Sequence, residues 1–137
     1  MSHVSKIETA ITDIGLLEQA LRELGMEYRL APAQSCLSLS GYGKNEVIDG
    51  CVMEIKTGCA YSIGIRPAES GYEAVADWWA VETFTGRVRG EILGAIMKQY
   101  AYKTIMDKVC GMGFELVSEE QDAREEVKIR VRRWSRA

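Results

Sequence analysis

Between Glu91 and Trp134 the apolar residues change their period once, from about 3.6 to 2, and two glycines mark the change. Ile92, Ile96, Met97, Tyr100, Ala101, Ile105 and Val109 lay one stripe along a helix of roughly five turns. Such a stripe has to be covered, so Tyr100 and Ile105 are expected in the core. Gly111 and Gly113 stop the helix, because glycine accepts the left-handed dihedrals of a C-terminal cap. Phe114 and Leu116 then alternate with Glu115, Val117 and Glu119, and Val127, Ile129 and Val131 alternate with Lys128, Arg130 and Arg132. Pairing about a polar turn from Gln121 to Arg124 sets Leu116 opposite Ile129, Phe114 opposite Val131 and Glu115 opposite Arg130. A helix followed by a hairpin that is oily on one face and charge-paired on the other confines the chain to mixed α and β architectures.

The same order occurs earlier. Residues 4–10 read as a strand, Thr12 or Asp13 caps a helix with the stripe Ile14, Leu17, Leu21 and Leu24, Gly25 ends it, and Met26, Tyr28 and Leu30 alternate in a second strand. Leu24-Gly25-Met26-Glu27-Tyr28 parallels Met112-Gly113-Phe114-Glu115-Leu116, which reads as a weak internal duplication. Residues 31–50, rich in serine and glycine, break the rhythm and are expected to form a long, mobile loop. Within them Gly41-Tyr42-Gly43-Lys44-Asn45 invites comparison with a phosphate-binding loop. The match fails, since Ser38 stands where the pattern needs glycine and Asn45 where it needs Ser or Thr.

Three strands follow: Cys51, Met53 and Ile55; Tyr61, Ile63 and Ile65; and, after Glu69-Ser70-Gly71, Tyr72, Ala74, Ala76 and Trp78. Pairing across that turn sets Tyr61 opposite Trp78, Ile65 opposite Ala74 and Arg66 near Glu73. The expected fold is α+β: a single domain over residues 1–137, a mostly antiparallel sheet of about seven strands with two helices packed on one face, in the order β-α-β-β-β-β-α-β-β, reading as two pseudo-repeats.

With 47% hydrophobic residues, 137 residues bury one core. Seventeen basic against 20 acidic residues give net −3, and so no global attraction to nucleic acid or an anionic membrane. The first residues lack the basic and apolar regions of a signal peptide, and no run approaches the ~20 apolar residues of a membrane span, so a cytoplasmic or plastid-like soluble protein is expected. Cys36, Cys51, Cys59 and Cys110 lack metal-knuckle spacing and read as free thiols in a reducing compartment. With His3 as the only histidine, no histidine pair can ligate a metal. No metal or cofactor is expected.

Strand parity turns Val52, Val75 and Trp79 to the face opposite the helices, with Gly64 beside Val75. An aromatic side chain among aliphatic ones on a charged face suggests a docking patch, with Asp77 beside it. Asp77, next to Trp78 and Trp79, is also a candidate acid without a visible partner, and Cys59 in a turn is a candidate thiol. Lys128, Arg130 and Arg132 with Trp134 are candidate nucleic-acid contacts, opposed by Glu115, Glu119, Glu125 and Glu126 on or next to the same hairpin.

Met1-Ser2-His3 leading to Ile7 and the helix 17–25, Ser62-Ile63-Gly64-Ile65, Tyr72-Glu73 through Ala76-Asp77-Trp78-Trp79, Gln99-Tyr100-Ala101-Tyr102, Gly113-Phe114 and Val131-Arg132-Arg133-Trp134 come in an order and spacing that covers nearly the whole chain. Together they resemble the hypothetical chloroplast reading frame 35 family, a bacterial and plastid-encoded domain of unknown function. The resemblance implies a small soluble protein whose bacterial relatives tend to be encoded beside AAA-type ATPases, and it transfers no catalytic residue. The favoured expectation is a non-enzymatic accessory or adaptor protein that docks onto a larger partner, with an AAA-type ATPase as the candidate. The alternatives are a ligand-binding protein or enzyme using the 31–50 loop with Asp77 or Cys59, and a nucleic-acid binder using the C-terminal hairpin.

Overall fold

A computed structural model describes residues 4–121 and 127–133, beyond Gly113 by the backbone path alone. Strands β1 (Val4–Glu8), β2 (Tyr28–Leu30), β5 (Met53–Ile55), β6 (Ile63–Ala68) and β7 (Gly71–Asp77) form one antiparallel sheet in the order β1-β7-β6-β5-β2. The register legible in the sequence is the one formed: Ile65 pairs with Ala74, Arg66 with Glu73 and Gly64 with Val75. Side chains therefore alternate as period two requires. Met53, Ile55, Ile63, Ile65, Ala74 and Ala76 lie on one face, in a single core with the helices α1 (Ile14–Glu23) and α3 (Arg89–Gly111).

α1 forms where Asp13 Oδ1 accepts the Leu16 N–H at 3.1 Å, and it buries Leu16, Leu17, Ala20 and Leu21. Full burial of a leucine such as Leu17 or Leu21 contributes roughly 1.5–3 kcal/mol. Gly25 at φ 70° and Gly113 at φ 84° follow the ends of α1 and α3, the left-handed positions the helix–glycine–strand pattern requires. From α3, Ile92, Ile96 and Tyr100 complete the core. The Tyr100 hydroxyl accepts the N–H groups of Thr12 at 3.0 Å and Asp13 at 3.2 Å, tying α3 to the start of α1.

The α+β class and the antiparallel sheet are as the periodicity indicates, and all seven expected strands are present, with four corrections. First, the covered part of the α3 stripe ends at Tyr100, and Ile105 is 46% exposed. Second, β8 (Phe114–Gln121) and β9 (Val127–Arg133) form a separate two-stranded sheet whose register differs from the expected one. Phe114 pairs with Arg133, Glu115 with Arg132 and Leu116 with Val131, and the register shifts again between Leu116 and Ser118. A longer connection and a bulge slide the pairing, which alternation alone does not set.

Third, residues 31–50 are not a structureless loop. β3 (Leu37–Ser40) and β4 (Val47–Cys51) pair as a hairpin within them. Leu37, Leu39, Ile48 and Cys51 bury Val75 from the side of the sheet opposite the helices, so part of the face expected to be open is roofed. Gly64 permits this approach. A Cβ there would lie 2.5 Å from Cys51 Sγ and 3.1 Å from Leu39 Cδ1. Fourth, the strand expected to run through Trp79 ends at Asp77, and a third helix, α2 (Trp78–Thr85), follows.

Candidate functional site

The end of β7 is where the sheet, the hairpin tip and α2 meet, and Asp77 joins them. Its carboxyl group is 1% exposed. Oδ1 accepts the Ala80 N–H at 3.1 Å and caps α2, and Oδ2 accepts the Tyr42 N–H at 2.9 Å from the tip between β3 and β4. Burying such a group uncompensated would be costly, and here two amide donors and the positive end of a helix offset that cost. The tip is seated closely: a Cβ on Gly41 would lie 2.8 Å from Glu46 Cβ and 3.1 Å from Asp77 Oδ2. Gly41 N–H also donates to Glu46 O at 2.7 Å.

Because the chain turns helical after Asp77, the two tryptophans are about 100° apart rather than on opposite strand faces. Trp78 is 1% exposed, donates its indole N–H to Ser5 O at 3.0 Å, and carries the Arg89 guanidinium 5.8 Å from its ring centroid. Trp79 is half-buried. The α2–α3 junction is braced by Glu82, whose Oε2 accepts the Arg89 backbone N–H at 2.8 Å and whose Oε1 accepts the guanidinium at 3.0 Å. α3 has no side-chain cap at Val88, so this carboxylate serves its first amide instead. The Arg89 guanidinium and then its N–H hold Glu82 below the usual carboxylate range.

On this frame stands a cluster of four aromatic rings from three places in the fold. Tyr42 at the hairpin tip meets Trp79 edge-on, with centroids 5.1 Å apart, and Phe84 of α2 at 6.0 Å. Tyr61, just before β6, stacks on Phe84 at 5.5 Å and approaches Tyr42 at 6.2 Å. Trp79 meets Phe84 edge-on at 6.4 Å. Tyr42 is 55% and Phe84 52% exposed. Large apolar rings in mutual contact, mounted on rigid elements and open to solvent on one side, are the composition of an interface centre.

The patch expected from parity is assembled differently. Trp79 belongs to the cluster. Val75 is buried under the hairpin, Val52 packs against the main core, and Asp77 is buried as a cap and latch. Tyr42, Tyr61 and Phe84 are the members that strand parity misses. They come from a hairpin tip, a turn and a helix, and no periodicity links such positions. For α2 a signal existed: an N-cap residue, Asp77, opens the segment and Gly86 closes it.

Elsewhere on the outer face, Glu54 accepts from Arg29 Nε at 3.0 Å and Lys56 Nζ at 3.3 Å, and Arg66 Nε donates to Glu73 at 2.9 Å. Burial pushes Glu54 up, but bonds from Ser62, Lys56 and Arg29 outweigh it and leave the carboxylate below its ordinary range. These are charge-neutralised structural pairs. Cys59 lies in the turn before β6, its sulfur 3.2 Å from Thr57 Oγ1 and 3.4 Å from the Tyr61 N–H, with no basic group among the contacts described for it. Burial raises the Cys51 thiol, which suits a small core residue rather than a nucleophile. In the C-terminal hairpin Lys128 pairs with Glu120, Arg130 with Ser118 and Arg132 with Glu115 along the backbone register, and Trp134 lies outside the described residues. No helix among the described residues is long and apolar enough to cross a membrane.

Comparison with known proteins returns one family, described as a protein of unknown function, DUF1257, which matches residues 20–131. The uncharacterized protein ycf35 of Cyanophora paradoxa is 31% identical over 140 residues, covering 98% of both chains. The proteins of the same name from Guillardia theta and Pyropia yezoensis are 30% and 28% identical, with 98% of this chain covered in each case and 98% and 99% of theirs. No solved structure matches. The match over most of the chain, together with near full-length relatives, shows that this chain belongs to the DUF1257 family of unknown function.

Proposed function

We propose that this chain is a non-enzymatic adaptor that docks onto a larger protein through the cluster of Tyr42, Tyr61, Trp79 and Phe84. The observation that carries the reading is the exposure of Tyr42 and Phe84 while their neighbours are fixed. Two rings over half exposed, against a half-buried tryptophan, expose apolar area at a place where Asp77 latches the backbone on both sides. Truncating a central aromatic anchor commonly costs about 2 kcal/mol or more, roughly thirtyfold in affinity.

An AAA-type ATPase is the candidate partner, and its support is the family resemblance alone. Residence in the cytoplasm, or in the equivalent reducing space of a plastid, belongs to the same proposal, supported by the four unpaired cysteines. The enzyme alternative draws less support, because Asp77 is committed to two amides and Cys59 to its own turn. A photo-crosslinking residue placed at position 84 tests the reading. It should give a discrete adduct with a protein partner, whereas the same residue at exposed Met112 should not. Adducts from position 112 and none from 84 would remove the cluster from consideration.

A further inference from the structure

We infer that residues 38–49, the outer part of the β3–β4 hairpin, are a flap that lifts from the sheet as one unit, and that docking at the aromatic cluster requires it closed. The second half of this inference rests on the docking reading above. β3 and β4 form a sheet of their own. Within the flap Ser38 Oγ donates to Asp49 Oδ1 at 2.8 Å, and the N–H groups of Gly41 and Glu46 donate to Glu46 O at 2.7 Å and Gly43 O at 3.1 Å. Among the described residues one hydrogen bond ties it to the body, from Tyr42 N–H to Asp77 Oδ2 at 2.9 Å. Its apolar anchors are Leu39 and Ile48, which belong to a small core with Leu37, Cys51 and Val75, separate from the core that the helices share with the sheet. A unit with few buried apolar contacts opens at a smaller free-energy cost than the body it rests on.

The base of the flap carries a hinge. From the Leu37–Cys51 pair to the Leu39–Ile48 pair the ladder advances two residues on β3 and three on β4. The extra residue is a bulge, next to which Gly50 takes φ 75°, and a bulge bends its strand and interrupts the ladder. Beyond the bulge the chain is fixed to the sheet. Cys51 Sγ fills the space that a Cβ on Gly64 would need, and Val52 N–H donates to Ile65 O at 2.8 Å.

The seam between flap and body runs through the aromatic cluster. Tyr42 belongs to the flap, whereas Tyr61, Trp79 and Phe84 belong to the body. The closed flap sets Tyr42 5.1 Å from Trp79 and 6.0 Å from Phe84. Opening separates these rings and frees Asp77 Oδ2. A partner that binds across the seam therefore selects the closed form, and by reciprocity its binding holds the flap shut.

Native-state hydrogen exchange on the full chain tests the flap without a partner. The Tyr42 amide and the paired amides of β3 and β4 should share one protection factor, at least about tenfold below those of Leu21 in α1 and Ile96 in α3. Gly41→Ala serves as a wedge. A Cβ there would lie 2.8 Å from Glu46 Cβ, 3.1 Å from Asp77 Oδ2 and 3.2 Å from Val4 Cγ2, and Gly41 does not have the left-handed φ that would itself exclude a side chain. The substitution should lower protection in the flap by about tenfold more and leave Leu21 and Ile96 within about twofold of the parent. Equal protection of flap and body in the parent overturns the flap, whether or not the variant folds. An equal loss at flap and body in Gly41→Ala overturns it as well. The coupling is read from the crosslinking residue at position 84, whose adduct yield should fall by about tenfold or more in Gly41→Ala. An unchanged yield beside faster flap exchange overturns the coupling and leaves docking intact. No adduct from either protein removes the docking reading and the coupling with it, while exchange still decides the flap.

Discussion

The carboxyl group of Asp77 accepts the backbone N–H of Tyr42 at 2.9 Å across 35 residues of chain, while its other oxygen caps the helix that carries Trp79 and Phe84. One buried side chain therefore sets both halves of the aromatic cluster. Asp77→Asn keeps one acceptor oxygen and turns an amide donor toward an N–H. It should cost about 1–3 kcal/mol, as leaving a buried donor unsatisfied does. Chemical denaturation measures this, and near-UV circular dichroism should show the aromatic signal weakened at temperatures where the variant is still folded. An unchanged midpoint would mean that the latch contributes nothing.

Trp78 and Trp79 should respond in opposite ways. Trp78→Ala removes a fully buried ring and an indole bond to Ser5 O, for a loss of about 3–5 kcal/mol. Trp79→Ala should cost less, because its ring is half-buried and its N–H has no acceptor among the described residues. Comparable losses would place Trp79 in the core.

How far the chain could be read ahead of its structure depends on what sets each register. A two-residue turn at Glu69-Ser70 leaves β6 and β7 little choice, so Ile65 with Ala74 and Arg66 with Glu73 were legible from alternation. The β8–β9 register was not, since a bulge between Leu116 and Ser118 leaves composition unchanged while moving every later pair. α2 was hidden because the alternation of β7 continues in sequence through Trp78, and only the capping role of Asp77 marks the switch. In the 31–50 segment, Leu37 and Leu39 alternate with Ser38 and Ser40, which is a strand signal masked by the serine and glycine around it. The aromatic cluster is a product of tertiary structure. Tyr42 is 35 residues from Asp77 and is brought to α2 only once the hairpin folds over Gly64 and Val75.

Along α3 the boundary between covered and open stripe falls after Tyr100. Ile96→Ala should cost about 2–5 kcal/mol, as deletion of a fully buried isoleucine does. Ile105→Ala, at an exposed site, should fall within about 0.5 kcal/mol of the parent. Urea midpoints compare them directly, and equal losses would show that the second half of the helix is covered after all.

Acid should expose the paired carboxylates. Glu54 and Glu82 are held below their ordinary value of 4.5 in the folded chain, so their contribution to stability is present above that value and is lost as pH falls through the lower folded one. Unfolding free energy, followed from pH 7 to pH 3, should hold nearly level to about pH 5 and then decline. Glu54→Gln should be less stable than the parent at pH 7, and the gap should narrow at pH 3. A gap of constant size would show that ionisation of Glu54 plays no part.

Docking through the aromatic cluster is tested most directly by co-purification from native lysate. The tagged parent is compared with the Tyr42→Ala/Phe84→Ala double variant, after confirming that the two unfold at the same temperature. The parent should bring down a stoichiometric protein partner, and the double variant should recover it at about a thirtieth of the affinity or lose it altogether. The same partner recovered at the same stoichiometry by both proteins would contradict the account.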